Sequence, residues 1–244
     1  IEVLGVDMKE ESKKLYDQIG VQLQETSYQD KIKVYELCSL FMSMYEKPLD
    51  YKPLLERFGL SAKHNSYLSD LSGGQRQRIA IILALIANPK LVFLDELTTG
   101  LDPKARREMW EYIKELKEEG RTIFMTTHYM EEAEYLCDKI CIIDEGKIIT
   151  IDHLEGVISK ADIDIIITFE TDKDISEMIK NSVSGISRVI YKDKIMSVYS
   201  KNDHILTELI LLFKDHDIDY RKIDIIRPTL EDAYLKLTGK EWKE

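Results

Sequence analysis

The sequence predicts an α/β fold with a parallel sheet and a helical subdomain, followed by a small α+β module. The apolar runs at residues 91–94 and 121–127 are nearly continuous in their hydrophobicity, as in strands that are buried on both faces of a sheet. Helical patterns separate the strands, and this alternation is typical of a parallel sheet. Beyond about residue 160 the order changes to strand, helix, strand, strand, helix, strand, which predicts a separate module.

In the first part of the chain, apolar spacing predicts one strand and a block of helices. A strand-like piece at residues 1–6 and a helix-prone segment at 9–18 precede a strand at 19–24. Apolar residues such as Val34, Leu37 and Phe41 then recur at helical spacing over 31–59. The next helix, over 75–87, ends at Asn88 and Pro89. We therefore expect a helical subdomain over about residues 31–88.

Asp102 and Pro103 mark the start of a further helix, because Asp is a favoured N-cap and Pro fits the first helical position. That helix is predicted to run to residue 119, where Gly120 supplies a left-handed cap. A strand at 121–127 delivers His128 at its end, and a short acidic helix follows at 129–136. Strands at 139–143 and 147–151 are predicted to form a hairpin through a Glu-Gly turn.

The last part of the chain is predicted to form the α+β module. Strands are predicted at 163–169, 186–191, 195–200 and 218–226, and helices at 175–181, 203–214 and 230–237. The order β-α-β-β-α-β is that of a ferredoxin-like module. We therefore divide the chain into domains of residues 1–160 and 161–244. The module either regulates, dimerises or covers the sheet, and its sequence does not choose among these roles.

Charge and hydropathy exclude two classes of protein. The 244 residues carry 34 Lys plus Arg against 45 Asp plus Glu, a net charge of -11. Neutralising nucleic-acid phosphates needs a basic face, so this balance argues against general nucleic-acid binding. The longest apolar run, residues 79–87, is too short for a membrane-spanning helix, which needs about 20 residues.

The three cysteines, Cys38, Cys137 and Cys141, stand in apolar surroundings without C-x-x-C spacing. This pattern favours buried small hydrophobic residues in a reducing compartment over a metal or disulfide site. We therefore expect all three thiols to be buried.

Three polar residues are predicted at the carboxyl ends of parallel strands, where open sheets bind their ligands. Asp95 has the chemistry to hold magnesium, and Glu96 could orient or deprotonate an attacking water. His128 could donate a hydrogen bond to a phosphate. The alternatives are an acidic pair that caps a turn and a histidine in a solvated loop.

Ser72, Gly73 and Gly74 open the helix predicted at 75–87, and backbone N–H groups at a helix start form an anion site. The alternative is an ordinary helix cap. The order of Gly74, Asp95, Asp102 and His128 within a single α/β unit favours a nucleotide triphosphate site. A G-x-x-x-x-G-K-S/T loop, the usual phosphate cradle, does not occur in the 244 residues.

These motifs together resemble the nucleotide-binding subunit of the ATP-binding-cassette (ABC) transporter family. The sequence Leu-Ser-Gly-Gly-Gln-Arg at 71–76 resembles the family signature, and residues 91–96 resemble the Walker B strand. Residues 98–102 resemble the D-loop, and Thr127 with His128 resembles the switch histidine. Residues 129–138 are also similar to the family, and residues 227–239 are similar to its drug-export type.

The family's Q-loop glutamine has two candidates in this sequence, Gln24 and Gln22. We prefer Gln24 because the acidic Glu25 follows it, as in the family. Leu97 stands where the family usually has proline, which would fix φ and stiffen the turn. We expect the two carboxylates to keep their places despite this change.

The resemblance implies a P-loop NTPase fold with an ABC-type parallel sheet core that binds ATP and Mg2+. It assigns catalysis to Glu96 and His128, the metal to Asp95 and Gln24, and the nucleotide to Gln24, Ser72, Gly73, Gly74, Gln75 and Asp102. It also implies that the Walker A loop and the adenine-stacking aromatic residue lie upstream of Ile1. We therefore expect an N-terminally truncated core, and a chain that alone does not turn over ATP.

The resemblance also implies partners and a location. Two ATPase subunits, identical or different, would close head to tail on two ATP molecules, and the signature of one would contact the γ-phosphate held by the other. The helical subdomain would transmit force to a transmembrane permease, with the subunit peripheral on the cytoplasmic face of the membrane. No nucleic-acid partner is expected. The alternatives are a non-catalytic fragment that only dimerises or docks a permease, and a non-transport ABC ATPase.

Overall fold

The computed structural model describes residues 2–7, 15–23, 28 and 31–240, in two compact units, Ile1–Leu136 and Cys137–Glu244. The described residues of the first unit form five strands, β1 (Glu2–Val3), β2 (Val6–Asp7), β3 (Ile19–Gln22), β4 (Leu91–Asp95) and β5 (Thr122–Thr126). Its described helices are α1 (Val34–Met42), α2 (Tyr51–Arg57), α3 (Gly73–Ile86), α4 (Pro103–Glu118) and α5 (Met130–Leu136), with 3-10 turns at Ser61–Lys63 and Leu68–Asp70. The predicted helical subdomain corresponds to α1, α2 and α3.

The sheet of the first unit is parallel, as predicted. β4 lies in the centre and pairs with β3 on one side and with β5 on the other. Gln22 is in register with Leu94, and Asp95 is in register with Thr126. Because parallel strands all end at the same edge, the last residues of the three strands lie side by side.

The prediction that β5 is buried on both faces is wrong. Thr122, Phe124 and Thr126 are exposed, and 58% of Phe124 is accessible to solvent. β5 is an edge strand of the described sheet. The apolar residues in its sequence did not indicate that one of its faces is exposed. Phe93 of β4 lies beside Phe124, with ring centroids 5.4 Å apart.

Helix α3 forms the core of the helical subdomain and packs closely on β3. Seven of the last eight residues of α3 are buried, all except Ala80: Ile79, Ile81, Ile82, Leu83, Ala84, Leu85 and Ile86. A Cβ atom at Gly20 of β3 would lie 2.2 Å from the carbonyl oxygen of Ala84. Glycine at this position therefore allows the helix backbone to approach the strand.

Helices α2 and α3 are held to α4 by ring contacts and ion pairs. Phe58, which follows α2, packs on Tyr112 of α4 with ring centroids 4.5 Å apart. Arg78 of α3 pairs with Glu108 of α4 at 2.5 Å. Arg57 also pairs with two exposed glutamates of this region, Glu115 and Glu119. Exposed pairs contribute little stability, so the aromatic packing is the main link.

The second unit begins with a hairpin, and a four-stranded sheet with helices follows. Its strands are β6 (Ile140–Asp144), β7 (Lys147–Asp152), β8 (Ile165–Glu170), β9 (Ile186–Lys192), β10 (Ile195–Ser200) and β11 (Arg221–Ile226). Its helices are α6 (Leu154–Ala161), α7 (Ser176–Ser182), α8 (Ile205–Asp215) and α9 (Leu230–Thr238). Glu145 and Gly146 both have positive φ, which supports the predicted turn between β6 and β7.

The β8–β11 sheet has the order β11-β8-β10-β9, with every neighbouring pair antiparallel. This order and the helices α7 and α8 confirm the predicted ferredoxin-like topology. Its core contains Ile167, Phe169, Val198, Leu209 and Phe213, all buried. Helix α6 was not predicted; it contains Gly156, which is unfavourable in a helix, and it packs against α9. The compact units divide at residues 136 and 137, while the domain boundary proposed near residue 160 stays a prediction.

The three cysteines differ in exposure, so the expectation that all are buried is wrong. Cys38 is buried, Cys137 is partly buried and Cys141 is exposed. Cys141 lies on β6, where its apolar neighbours alternate between buried and exposed positions. An apolar neighbourhood in sequence does not fix the face of a strand on which a side chain lies.

Alkylation rates are expected to separate Cys38 from Cys141. Burial raises the pKa of the Cys38 thiol to about 12, and the thiolate is the reactive form. At pH 8, iodoacetamide should modify Cys38 at least about 100-fold more slowly than Cys141, since few thiolates form and the reagent cannot reach them. Mass spectrometry of the digested protein measures both rates. In denaturant the two rates should become similar; equal rates in the folded protein would contradict the buried position of Cys38.

Within the described part of the chain, no helix is both long enough and apolar enough to span a bilayer.

Candidate nucleotide site

The carboxyl edge of the parallel sheet brings together the polar residues that end its three strands. Gln22 ends β3, Asp95 ends β4, and Thr126 ends β5. The side-chain oxygen of Gln22 accepts a hydrogen bond from the Asp95 N–H at 3.1 Å. The Thr126 hydroxyl donates to the Asp95 carboxylate. Asp95 is therefore fixed from both neighbouring strands.

Glu96 leaves the strand in a left-handed conformation, with φ 44°. Such a backbone is uncommon for residues other than glycine and clusters at functional sites. Its N–H donates to the Thr126 carbonyl at 3.1 Å, which extends the pairing with β5 by one residue. The Thr99 hydroxyl donates to a Glu96 carboxylate oxygen at 3.4 Å. The turn thus directs the Glu96 side chain away from the strand while holding its backbone.

His128 lies next to Glu96, two residues beyond the end of β5. Its Nδ1 is 3.5 Å from Glu96 Oε1, and 51% of the His128 side chain is exposed. The ring of the following residue, Tyr129, packs against the imidazole, with ring centroids 4.2 Å apart and the ring planes tilted by 39°. The Tyr129 N–H donates to the Thr127 hydroxyl at 3.0 Å. An imidazole that contacts a carboxylate and remains accessible can donate to a ligand at this edge.

Of the two candidates for the Q-loop glutamine, Gln22 is described in the structure and Gln24 lies outside the described residues. Gln22 is buried, and its amide nitrogen donates to the Leu23 carbonyl at 2.7 Å while its oxygen contacts Asp95. Gln22 therefore joins β3 to β4. A ligand-binding role for Gln24 stays a prediction.

The Ser-Gly-Gly turn is the amino end of α3. Ser72 Oγ accepts from the Gln75 N–H at 3.3 Å, and Gln75 Oε1 accepts from the Ser72 N–H at 3.0 Å, which forms a capping box. Among the described residues, no acceptor contacts the N–H groups of Gly73 and Gly74. Two such N–H groups at the positive end of a 14-residue helix suit an anion. The structure adds the pairing of Ser72 with Gln75 to the helix cap that the sequence left as an alternative.

The signature turn is tied to the loop that follows the two carboxylates. Gln77 of α3 donates to the Thr99 carbonyl at 3.0 Å. A Cβ atom at Gly74 would lie 3.3 Å from a methyl group of Leu101, a tight contact. Asp102, at the end of the same loop, caps α4 by accepting from the N–H groups of Lys104 and Ala105 at 3.0 Å. Asp102 therefore has the predicted N-cap role, and its side chain is exposed.

The predicted site residues thus form two groups in the structure. Asp95, Glu96 and His128 meet at the sheet edge, whereas Ser72, Gly73, Gly74 and Gln75 cap the helix beside the loop of Thr99 and Asp102. Thr126 and Thr99, which contact the carboxylates directly, are not among the predicted site residues. Thr126 could have been found from the sequence, because it stands with Thr127 at the end of an apolar strand, directly before His128.

The donor set fits a magnesium ion that is bound together with a nucleotide. In the described residues, no group of three or more His, Cys, Asp and Glu side chains could hold a metal ion by itself. Magnesium that carries phosphate needs only one or two protein ligands, because water and phosphate oxygens fill the other positions. Asp95, a carboxylate at the sheet edge, meets this requirement, with Gln24 as the second predicted ligand.

Comparison with known proteins identifies the family. Residues 1–99 match the ABC transporter family. The chain is 31% identical to the linearmycin resistance ATP-binding protein of Bacillus subtilis (strain 168), in an alignment that covers 100% of this chain and 82% of the relative. The chain belongs to the ABC transporter family. Members of this family are ATPases, so the resemblance drawn from the motifs is confirmed.

Other ABC relatives are also ATP-binding proteins of export or resistance. The chain is 36% identical to the Nod factor export ATP-binding protein I of Burkholderia lata, over 79% of this chain and 62% of the relative. It is 28% identical to a daunorubicin resistance ATP-binding protein of Streptomyces coeruleorubidus, over 99% of this chain and 78% of the relative. These relatives support the expectation of a drug-export type of ABC subunit.

A solved structure confirms the ABC fold. The structure of an ATP-binding subunit of an ABC transporter superposes with a TM-score of 0.58 at 25% identity. The superposition covers 65% of this chain and 68% of the other. The α/β core with its parallel sheet is therefore that of an ABC ATP-binding subunit.

Proposed function

We propose that this chain acts in the ATPase subunit of an ABC exporter, which holds magnesium-ATP and hydrolyses it to power a permease. The observation that supports this most directly is the meeting of Asp95, Glu96 and His128 at the carboxyl edge of the sheet. His128 Nδ1 lies 3.5 Å from a Glu96 carboxylate oxygen. Ligands of open parallel sheets bind at this edge.

Asp95 and Gln24 are the residues proposed to hold magnesium. The Asp95 N–H donates a hydrogen bond to the side-chain oxygen of Gln22, and the Asp95 carboxylate accepts one from the Thr126 hydroxyl. These contacts fix its position before a ligand arrives. When bound, magnesium neutralises charge that develops on the transferred phosphoryl group.

Glu96 and His128 are proposed to act on the attacking water and on the γ-phosphate. The Glu96 carboxylate, held by Thr99, would accept a hydrogen bond from the water and take its proton as attack begins. His128 would donate to the γ-phosphate. Its contact with Glu96 couples the two roles, because a change at either group alters the position of the other.

The signature turn is proposed to act on a second subunit. The N–H groups of Gly73 and Gly74 at the helix start, with Ser72, suit the γ-phosphate of an ATP molecule that the other ATPase subunit holds. Asp102 lies beside this turn, at the end of the loop that Gln77 contacts. Gln75 supports the turn through the capping box, and we propose a positioning role for it.

The proposed partners are a transmembrane permease and a second ATPase subunit, on the cytoplasmic face of the membrane. The export and resistance functions in the names of the relatives support the direction of transport. The permease would select the transported substrate. The pair of ATPase subunits would be either identical or different.

Replacing His128 with Ala is expected to lower ATP turnover by about 100-fold, the lower end of what one hydrogen-bond donor to the transition state contributes. The measurement uses the P-loop-extended chain, meaning this chain joined at its amino end to a segment with a G-x-x-x-x-G-K-S/T loop. Turnover is followed as phosphate release with magnesium present. The unmodified 244-residue chain, which has no such loop in its sequence, is expected to be inactive.

The matched control is His216→Ala, which removes an exposed imidazole at the end of α8. It should leave turnover unchanged. If His128→Ala retains the turnover of the parent, His128 does not serve as the switch. If the P-loop-extended chain binds a permease but never hydrolyses ATP, the chain serves only in docking or dimerisation.

A further inference from the structure

A chain of ring contacts connects the amino end of α4 to His128. The guanidinium carbon of Arg106 lies 3.9 Å from the centroid of the Tyr129 ring. The Tyr129 ring in turn contacts the His128 imidazole, with centroids 4.2 Å apart. His128 then contacts Glu96. Three successive contacts thus lead from α4 to the proposed catalytic carboxylate.

The stack on Tyr129 is the contact that holds the Arg106 side chain. Within the described part of the chain, its guanidinium makes no hydrogen bond or ion pair, and its Nε is buried without a partner. A planar guanidinium above an aromatic ring is a favourable arrangement, more so when water is excluded. A buried N–H without an acceptor is costly. The described contact of the Arg106 guanidinium is therefore with the Tyr129 ring and not with a hydrogen-bond acceptor.

The helix that follows Tyr129 is fixed to α4 by a second contact. Trp110, one turn after Arg106, donates its indole N–H to Glu132 at 2.8 Å. Glu132 is fully buried on α5, and Trp110 also packs on Tyr135 with centroids 5.2 Å apart. The backbone that carries Tyr129 is thus anchored to the same face of α4. Arg106 adds a contact with the Tyr129 ring, which in turn contacts His128.

We propose that Arg106 is a positioning residue, which holds His128 in contact with Glu96 by stacking on Tyr129. Arg106 lies one turn after Asp102, and its N–H donates to the Asp102 carbonyl at 3.0 Å. A displacement of the loop before α4 therefore reaches His128 through Arg106 and Tyr129. This inference rests on the proposed function of His128.

The test is the accessibility of His128 to diethyl pyrocarbonate in the 244-residue chain, measured by mass spectrometry. Arg106→Ala removes the stack and should raise the rate of His128 modification by about fivefold, the scale of one ring–cation contact. Arg107→Ala is the matched control, since Arg107 is the exposed neighbour on α4 and should leave the rate unchanged. Modification of His216 serves as an internal reference.

An unchanged rate in folded Arg106→Ala protein would overturn the proposal. Tyr129→Leu provides a second test if Arg106→Ala does not fold, because it removes the ring that contacts both Arg106 and His128. It should raise His128 modification as well, whereas Tyr129→Phe, which keeps the ring, should not. An unchanged rate in folded Tyr129→Leu protein would also overturn the proposal. The labelling needs no hydrolysis, so it is independent of whether His128 serves in catalysis.

Turnover of the P-loop-extended chain separates a positioning role from a general loss of stability. Arg106→Ala should lower kcat, leave KM for ATP unchanged, and have no further effect when His128 is already Ala. Equal losses in the presence and absence of His128 would mean that Arg106 acts by another route. If His128→Ala itself has no effect while Arg106→Ala still raises the labelling rate, the proposed function fails and the positioning contact stands.

Discussion

Glu96→Gln in the P-loop-extended chain is expected to lower steady ATP turnover by at least about 100-fold while magnesium-ATP still binds. The amide can keep the hydrogen bond from Thr99, which now contacts Glu96 at 3.4 Å. It cannot take a proton from the attacking water. Binding should persist because Asp95, the proposed magnesium ligand, is held by Gln22 and Thr126 and not by Glu96.

Phosphate release measures the turnover, and calorimetry measures the binding. Glu131→Gln is the matched control, since it makes the same change on an exposed residue of α5. The control should keep both turnover and binding. Turnover of Glu96→Gln near that of the parent would remove Glu96 from its catalytic role. Loss of ATP binding in Glu96→Gln would mean that this carboxylate also helps to hold the nucleotide.

Gly20→Ala is expected to lower the free energy of unfolding of the first unit by about 3 kcal/mol, the upper end of the usual cost of overpacking. The new Cβ would lie 2.2 Å from the carbonyl oxygen of Ala84 and 3.1 Å from Pro89. Both neighbours are parts of rigid structure, one a helix backbone and the other a proline ring. The strand and α3 would have to separate, which disturbs the packing of the helical subdomain on the sheet.

Urea unfolding followed by circular dichroism measures this loss. Gly73→Ala is the control, because a Cβ there meets nothing within 4 Å and alanine is well tolerated in a helix. Its stability should stay close to that of the parent. If Gly20→Ala is as stable as Gly73→Ala, α3 does not approach β3 as closely as the structure has it.

The features that depend on local sequence were the ones that could be predicted. Asp102 and Pro103 start α4, and Gly120 ends it with a φ of 86°. The apolar run before Asp95 forms the central strand. In each of these cases the residue acts within a few positions of itself, so the pattern in sequence carries the cause.

Contacts between distant residues could not be predicted. The bond of Gln22 to Asp95 depends on the register of β3 against β4, which the sequence of either strand leaves open. The stack of Arg106 on Tyr129 depends on how α4 packs near the turn after β5. The capping box of Ser72 and Gln75 was within reach, since Ser-x-x-Gln is its pattern. It was missed because both residues were assigned to a ligand.

Helix α6 and strand β5 show where composition misleads. The helix is short and contains Gly156, so its own sequence favours it weakly, and packing against α9 supports it. β5 has a run of three apolar residues at its centre but lies at an edge of the described sheet, with Phe124 exposed. In both cases the neighbouring element, and not the local pattern, determines the outcome.

The proposal that Asp95 holds magnesium-ATP at the sheet edge is tested by calorimetric titration of magnesium-ATP into the P-loop-extended chain and into its Asp95→Asn variant. The 244-residue chain is the reference, since it has no G-x-x-x-x-G-K-S/T loop. We expect the extended chain to bind, Asp95→Asn to weaken binding when magnesium is present, and the reference to bind very weakly. Tight binding by the reference, or binding that neither magnesium nor Asp95 affects, would contradict the assignment of ATP to this edge of the sheet.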